Sequence, residues 1–280
     1  ARGSQTPIIF VPSMHQDLFD DPVTADLLEK IDDEGSHCII DSEKEGRRKQ
    51  PSPIEIVAKV AHISNSSLPN RKKIAITLGA TRAPIDSVRA IQNASSGKTG
   101  WAIAEYLFMK GHEIHCIAGK TSASPSFNLP NVHRSGSPEE MLSQSIEIAK
   151  NLSKPDVWIH AAAVLDYSMP AEVGKRPSGQ ESWKIELKPT LKHISELSQH
   201  VGDCIRIGFK LETNVSEEQL IQKSQDQISK YGVDVVVANL LGQIGDSEYP
   251  RARLVNPDGS FKLLNSEMDL CEELEKFISR

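Results

Sequence analysis

The stretch richest in chemical possibility is Asn93-Ala94-Ser95-Ser96-Gly97-Lys98-Thr99-Gly100, followed by the amphipathic run WAIAEYLFMK. Ser95 and Ser96 can cap a helix, the glycines permit close backbone approach, and exposed N–H groups with the helix dipole favour an anion. The same residues also suit a capped helix start packed tightly on its neighbours. The tripeptide GKT is not a P-loop, because GxxxxGK[ST] requires glycine where Gln92 stands. A GxGxxG fingerprint is absent as well, since Leu78-Gly79-Ala80-Thr81 follows the first strand of this region. That weakens a nicotinamide-dehydrogenase reading.

A second constellation is Ala161-Ala162-Ala163-Val164-Leu165-Asp166-Tyr167. Small residues ending a buried strand let a planar group lie against the backbone, and a carboxylate just beyond can accept from an amine or hydroxyl. Tight packing beside a solvated Asp166 is the alternative. Lys175, Lys188, Lys223 and Lys230 could each present a point charge to phosphate. An isolated lysine is otherwise a solvated surface group, so context must decide. His15 and His193 have neither a nucleophile elbow nor metal-ligand spacing, and His160, inside an apolar run, reads as a hydrogen-bonded core histidine.

The elements that must position these residues alternate. Strands are predicted at 6–13 and 37–41 and helices at 22–34 and 52–62, before a linker at 63–71 rich in Asn and Ser. A domain boundary is placed there, dividing 1–65 from 66–280. Beyond it the pattern predicts strands at 73–79, 113–118, 156–163, 204–210 and 233–239, with helices at 97–110, 137–152, 190–200 and 216–230. A hairpin around Pro257-Asp258-Gly259 and a helix at 266–279 close the chain. Continuous Val/Ile/Ala runs alternating with helices indicate an α/β fold with a doubly wound, Rossmann-like, mostly parallel sheet. One connection, between 163 and 190, is far longer than the usual 2 to 6 residues. Within it Trp183, Ile185 and Leu187 alternate with Lys184, Glu186 and Lys188, which predicts a strand arm leaving the carboxyl edge of the sheet.

Composition removes other classes. With 280 residues, 38% apolar and 25% charged, the chain has the make-up of one or two globular domains. A net charge of −6 leaves no basic field for nucleic acid. Cys38, Cys116, Cys204 and Cys271 lie far apart without CxxC, so reduced thiols, a cytoplasmic location and no structural metal are expected. No apolar run approaches the ~20 residues that cross a bilayer, so no membrane partner is expected. The opening Ala1-Arg2-Gly3, without methionine, is what a processed end would give.

Residues 71–280 resemble phosphopantothenoylcysteine synthetase, the coenzyme A biosynthetic ligase. The resemblance rests on Thr81-Arg82-x-Pro84-Ile85-Asp86-x-Val88-Arg89, Asn93-x-Ser95-Ser96-Gly97-Lys98-x-Gly100, AAAVLDY, Leu187-Lys188-Pro189-Thr190, Gly208-Phe209-x-x-Glu212-Thr213 and Asp234-Val235-Val236-Val237-Ala238-Asn239, in that order. Residues 6–62 resemble the last part of the flavin-dependent phosphopantothenoylcysteine decarboxylase often fused upstream, with Pro12-Ser13-Met14-His15 where that family has Pro-Ala-Met-Asn. Glu43-Lys44-Glu45-Gly46-Arg47 lacks the cysteine of its substrate-covering loop. Decarboxylation is therefore not expected of this chain alone, and FMN only together with the front part of that domain.

The resemblance implies that 4′-phosphopantothenate, cysteine and CTP with Mg²⁺ are the substrates and that an acyl-cytidylate is the intermediate. It places Asp166, Lys175, Leu191, Lys192, His193, Ile194, Phe209, Lys223 and Lys230 at the nucleotide, with Lys230 substituting for a lysine expected where Tyr231 stands and Leu191 replacing a proline. It places Arg89, Asn93, Ser95, Ser96 and Gly97 at phosphopantothenate and gives Arg89, Asn93 and Lys175 catalytic roles. It also implies a homodimer joined through the 167–189 arm, with Trp183, Ile185 and Leu187 at the contact. Two other classes stay open: a nicotinamide oxidoreductase, for which no Tyr/Lys relay is found, and a non-catalytic nucleotide-binding subunit.

Overall fold

A computed structural model describes residues 8–33, 35–40, 43–44, 47–48, 50–151, 154–179 and 181–280. They form two compact units. The first runs to Arg71 and includes Phe108–His112 and Ser126–Asn128, and the second holds the remainder.

The first unit contains β1 (Ile9–Phe10), β2 (Met14–His15), α1 (Gln16–Phe19), α2 (Pro22–Asp33), β3 (His37–Cys38), β4 (Glu43–Lys44), β5 (Arg47–Arg48) and α3 (Pro53–Ser66). β1 pairs in parallel with β3, and β2, β5 and β4 form an antiparallel ribbon. Among the described residues the strands expected at 6–13 and 37–41 shrink to two residues each, while residues 6, 7 and 41 and the side chains of 42–49 fall outside the description. α3 begins where Ser52 Oγ accepts the Glu55 amide at 3.3 Å. It continues to Ser66, so 63–66 is helix and not linker. Side-chain contacts extend it: the His62 ring stacks on Phe108 with centroids 4.1 Å apart, and Asn65 Nδ2 donates to the Met109 carbonyl at 2.8 Å.

The second unit contains β6 (Lys73–Leu78), β7 (Arg82–Pro84), β8 (Ala90–Gln92), α4 (Lys98–Met109, whose last two residues count with the first unit), β9 (Glu113–Ala118), β10 (Val132–Arg134), α5 (Pro138–Lys150), β11 (Val157–His160), β12 (Tyr167–Ser168) and β13 (Lys188–Pro189). It continues through α6 (His193–Glu196), α7 (Ser198–Val201), β14 (Ile205–Glu212), α8 (Glu217–Tyr231), β15 (Val235–Leu240), β16 (Ala252–Val255), β17 (Phe261–Leu264) and α9 (Glu267–Ile278). The main sheet has the order β10-β9-β6-β11-β14-β15-β16-β17, parallel up to β15 and antiparallel through the final hairpin. The chain winds outward from β6 through β9 and β10, then returns to β11 on the other side. The switch point therefore lies between the carboxyl ends of β6 and β11, where ligands of such sheets bind.

The expected α/β, doubly wound, Rossmann-like sheet with a C-terminal hairpin is thus present. Strands such as β11 and β15 are buried along their length because helices cover both faces. α5 starts with a capping box in which Ser137 Oγ accepts from Glu140 N at 3.1 Å and Glu140 Oε2 accepts from Ser137 N at 3.2 Å. Its Met141, Leu142 and Ala149 pack with Trp158, Leu197 and Val201 in a continuous core. α8 has its own Ser216–Gln219 capping box and ends at Gly232 with φ 63°, the left-handed stop glycine accepts readily.

Two expectations are corrected. Residues 183–187 are not a strand, and only Lys188–Pro189 pairs, with Tyr167–Ser168. Alternation becomes a strand only beside a partner edge, and Pro170, Gly174, Pro177 and Gly179 break this arm into turns. The helix expected at 190–200 starts only at His193 and is split in two. Thr190 closes instead onto 165–166, its amide donating to the Asp166 carbonyl at 2.9 Å and its hydroxyl to the Leu165 carbonyl, which keeps 190–192 extended.

Arg206 ties these layers together. It is buried, and its guanidinium donates to the carbonyls of Tyr231 (2.6 Å), Gly232 (3.4 Å) and Ile194, so it satisfies the end of α8 and part of α6. Arg206→Met leaves those acceptors dry, and a loss of about 3 kcal/mol is expected. Urea unfolding would measure it, and a loss below about 1 kcal/mol would mean that water takes over these acceptors.

Candidate functional site

At the switch point β11 ends early. Beyond it Ala161 N and Ala163 N still donate to the Thr77 and Gly79 carbonyls at 3.0 and 2.8 Å, Ala163 is bridged to Ala80, and the Ala163 carbonyl meets two donors, Thr81 N at 3.2 Å and Asn93 Nδ2 at 3.1 Å. Thr81 Oγ1 accepts in turn from Leu165 N at 2.9 Å. Asn93, which follows the β7–β8 hairpin, is therefore fixed by one amide hydrogen at the mouth of the crevice.

The helix start beside it is tightly built. Gly97 has φ 78°, and a Cβ there would lie 2.4 Å from Thr121 Cγ2; at Gly100 it would lie 2.4 Å from Leu78 Cβ. These glycines serve close helix–sheet packing as well as any ligand. Ser96 Oγ accepts from Lys98 N at 3.3 Å, and the Ser96 carbonyl accepts from Ala123 N at 3.1 Å, while Ser95 N donates to the Asn93 carbonyl at 2.9 Å.

Asp166 pairs with the ammonium of Lys192. Both side chains are more than half exposed, at 59% and 56%, so the pair contributes little and can open at small expense. Leu191 is exposed and Ile194 half-buried, whereas His193 is buried beneath this turn and its imidazole is pushed down to about 4, chiefly by burial and against the opposing pull of the Pro138 carbonyl and Glu139. His160 is pushed down to about 3 by burial, then by the charge of Arg206 and by His193. Its Nε2 finds no hydrogen-bond partner among the described residues, so the expected hydrogen-bonded core histidine is buried but not satisfied at that atom.

Phe209 lies half-buried within β14, opposite Val237. At the end of that strand Glu212 takes Lys223 at 2.6 Å and Lys210 at 2.9 Å, and these two lysines, Lys223 foremost, hold its carboxyl below the usual range. Lys230 is not brought to this edge. It sits on the last turn of α8, 5.2 Å from the Tyr231 ring, at the end of the helix that Arg206 fastens to the amino end of β14. Arg89 and Lys175 come together elsewhere on the same edge: the 85–89 turn and the 172–176 segment bond to each other, with Lys175 exposed.

Asp86, Thr81 and Arg251, none of them among the expected site residues, also contribute. Asp86 is a buried carboxylate at the centre of the 85–89 turn, held below the usual range first by the Val88 amide. Asp-x-Val-Arg, an Asx-turn pattern, was legible for it. Thr81 was quoted only as a motif position. Arg251 donates to Thr99 Oγ1 at 2.6 Å and to Asn239 Oδ1 at 3.2 Å, joining the α4 start to the end of β15. No local pattern marks Arg251, because its partner Thr99 is 152 residues away.

Chemically, the edge offers one oriented amide, a tight helix start and six cations, Arg89, Lys175, Arg176, Lys192, Lys210 and Lys223, set against the four carboxylates Asp86, Asp166, Glu172 and Glu212. It suits an anionic substrate whose charge changes during reaction.

Residues 70–269 match the family model described as the DNA/pantothenate metabolism flavoprotein C-terminal domain. The chain is 37% identical over 272 residues to the coenzyme A biosynthesis bifunctional protein CoaBC of Thermococcus kodakarensis, covering 97% of this chain and 66% of that protein. It thus spans about two thirds of that relative's length. Among solved structures, the DNA/pantothenate metabolism flavoprotein of Streptococcus pneumoniae superposes with a TM-score of 0.65 at 27% identity, covering 74% of this chain and 98% of its own. The C-terminal domain of a coenzyme A biosynthesis bifunctional protein CoaBC superposes with a TM-score of 0.58 at 27% identity, covering 76% and 96%.

Proposed function

The chain belongs to the DNA/pantothenate metabolism flavoprotein C-terminal domain family, and from that premise we propose that its second unit is a coenzyme A biosynthetic ligase joining 4′-phosphopantothenate to cysteine. The substrate carboxylate attacks the α-phosphate of CTP, releasing pyrophosphate and forming an acyl-cytidylate. The cysteine amine then attacks the acyl carbon and CMP leaves with the bonding electrons, the amine proton passing to solvent or to the departing phosphate.

The observation that carries this reading is Asn93. One amide hydrogen is spent on the Ala163 carbonyl, which holds the side chain in place and leaves the second to donate to an acyl oxygen as it gathers charge. Arg89 and Lys175 serve the phosphopantothenate and triphosphate charges, Ser95, Ser96 and Gly97 the same substrate at the helix start, and Asp166, Leu191, Lys192, His193, Ile194, Phe209 and Lys223 the nucleotide. Lys230, at the other edge, is left out of the proposal. Among the described residues no three His, Cys, Asp or Glu side chains converge on a metal position. Mg²⁺ enters this reading as the companion of the nucleotide phosphates, the usual way this ion is held. The flavin expectation attaches to residues 6–62 and is not extended to this unit. Among the described residues no helix is long and apolar enough to cross a membrane.

Dimerisation through the arm belongs to the same proposal. Ile185 and Leu187 remain 36% and 39% exposed and Val173 is fully so, apolar surface that a second copy would cover. Incubation with phosphopantothenate, cysteine, Mg²⁺ and either CTP or ATP is expected to release pyrophosphate and CMP, the CTP reaction being the faster. Nucleotide binding without ligation would favour the regulatory reading. Sedimentation velocity is expected to give a dimer, and a monomer at micromolar concentration would remove that part.

A further inference from the structure

We infer that Asp86 and Trp183 form a latch fastening the 172–176 segment to the 85–89 turn, which makes Asp86 a positioning residue for Arg89 and Lys175. The Asp86 carboxylate meets both partners. Its Oδ1 accepts from Val88 N at 2.8 Å and Arg89 N at 2.7 Å, and its Oδ2 accepts from Arg89 Nη1 at 3.1 Å and Arg176 N at 3.3 Å. Backbone bonds run alongside, Glu172 N to the Ile85 carbonyl at 2.8 Å and Ser87 N to the Gly174 carbonyl at 3.1 Å. Arg89 Nη2 also donates to the Arg176 carbonyl at 3.2 Å.

Trp183 closes the latch from outside. Its ring lies 5.1 Å from the Arg89 guanidinium and 4.8 Å from that of Arg176, so one indole face or edge is shared by two cations. Glu172 holds Arg176 at 2.9 Å and balances one of them. The residues on either side of Lys175, Gly174 and Arg176, are therefore both bonded through their backbones, while the Lys175 ammonium stays exposed and has no ion-pair partner among the described residues. Fixing the backbone while leaving the charge free is how a flexible lysine is aimed at an anion without being neutralised.

For its effect on substrate the inference rests on the proposed ligase reading, but the latch itself has a readout that does not. Trypsin can cut after Lys175 only when this segment opens, and the next bond, Arg176–Pro177, resists because proline follows. Trp183→Leu is expected to speed cleavage after Lys175 by about tenfold with little change in thermal unfolding, Asp86→Asn to speed it as much with a lower unfolding temperature, and Trp183→Tyr to restore most of the protection. Trp183→Leu and Asp86→Asn are also expected to raise KM for phosphopantothenate by about fivefold while kcat changes less, since ordering is lost before chemistry begins. An unchanged cleavage rate in Trp183→Leu would overturn the latch, and that variant decides alone if Asp86→Asn does not fold. A wild-type protein that is protected at Lys175 but does not ligate would retire the ligase reading and leave the latch standing.

Discussion

Lowering the pH from about 7 to about 5 is expected to remove on the order of 4 kcal/mol of folding stability, well before carboxylates begin to titrate. The cause is the pair His160 and His193, pushed down by burial to about 3 and about 4. Above the unfolded value near 6.5 both states hold these rings neutral, and they contribute no pH dependence. As pH falls through that value the unfolded chain takes up protons that the folded chain refuses, so stability declines until His193 titrates near 4 and His160 near 3. Each ring loses about 1.4 kcal/mol per pH unit in that window, or roughly 2 by pH 5. Against a net stability of ~5 to 15 kcal/mol this is a large share. Urea midpoints across the range would measure it, and His160→Leu should remove about half the slope. A flat profile from 7 to 5 would mean that both rings ionise freely in the folded protein.

The same two histidines show where sequence reasoning reaches and where it stops. His160 could be assigned to a buried strand from VWIH alone, because continuous apolar neighbours on a parallel sheet leave no exposed face. Its unmatched Nε2 could not, since that depends on what α6 and β14 place beside it. The central strands and capped helices were legible because each carries its evidence locally, as in the Ser137–Glu140 and Ser216–Gln219 boxes. The arm was misread for the opposite reason. Trp183, Ile185 and Leu187 have the period of a strand, yet Trp183 finds two arginines rather than a strand edge. Lys230 was drawn to the site by its closeness in sequence to the 234–239 motif, but an α8 of 15 residues carries it some 20 Å away from the carboxyl edge, at ~1.5 Å per residue.

Asn93→Asp is expected to separate the two steps of the proposed reaction. The substitution keeps nearly the same volume and replaces a side chain with two donors by one that only accepts. In the native protein Nδ2 donates to the Ala163 carbonyl at 3.1 Å, and that carbonyl also receives Thr81 N at 3.2 Å. Losing the first bond leaves the carbonyl with its Thr81 donor, and the new carboxylate oxygen, repelled by that carbonyl, turns away from it. What disappears is the second N–H, available for the acyl oxygen as cysteine attacks. Removing one such donor typically slows a reaction by ~10² to 10³. Cytidylyl transfer depends instead on neutralising the triphosphate through Mg²⁺ and the lysines, which the substitution leaves in place. In a single turnover the variant should release pyrophosphate at close to the native rate and accumulate an acyl-cytidylate that cysteine resolves slowly. Quenched samples analysed by mass spectrometry would show the intermediate directly. If pyrophosphate release falls as far as product formation, Asn93 acts in substrate binding or in the first step, and the oxyanion role assigned to it is wrong.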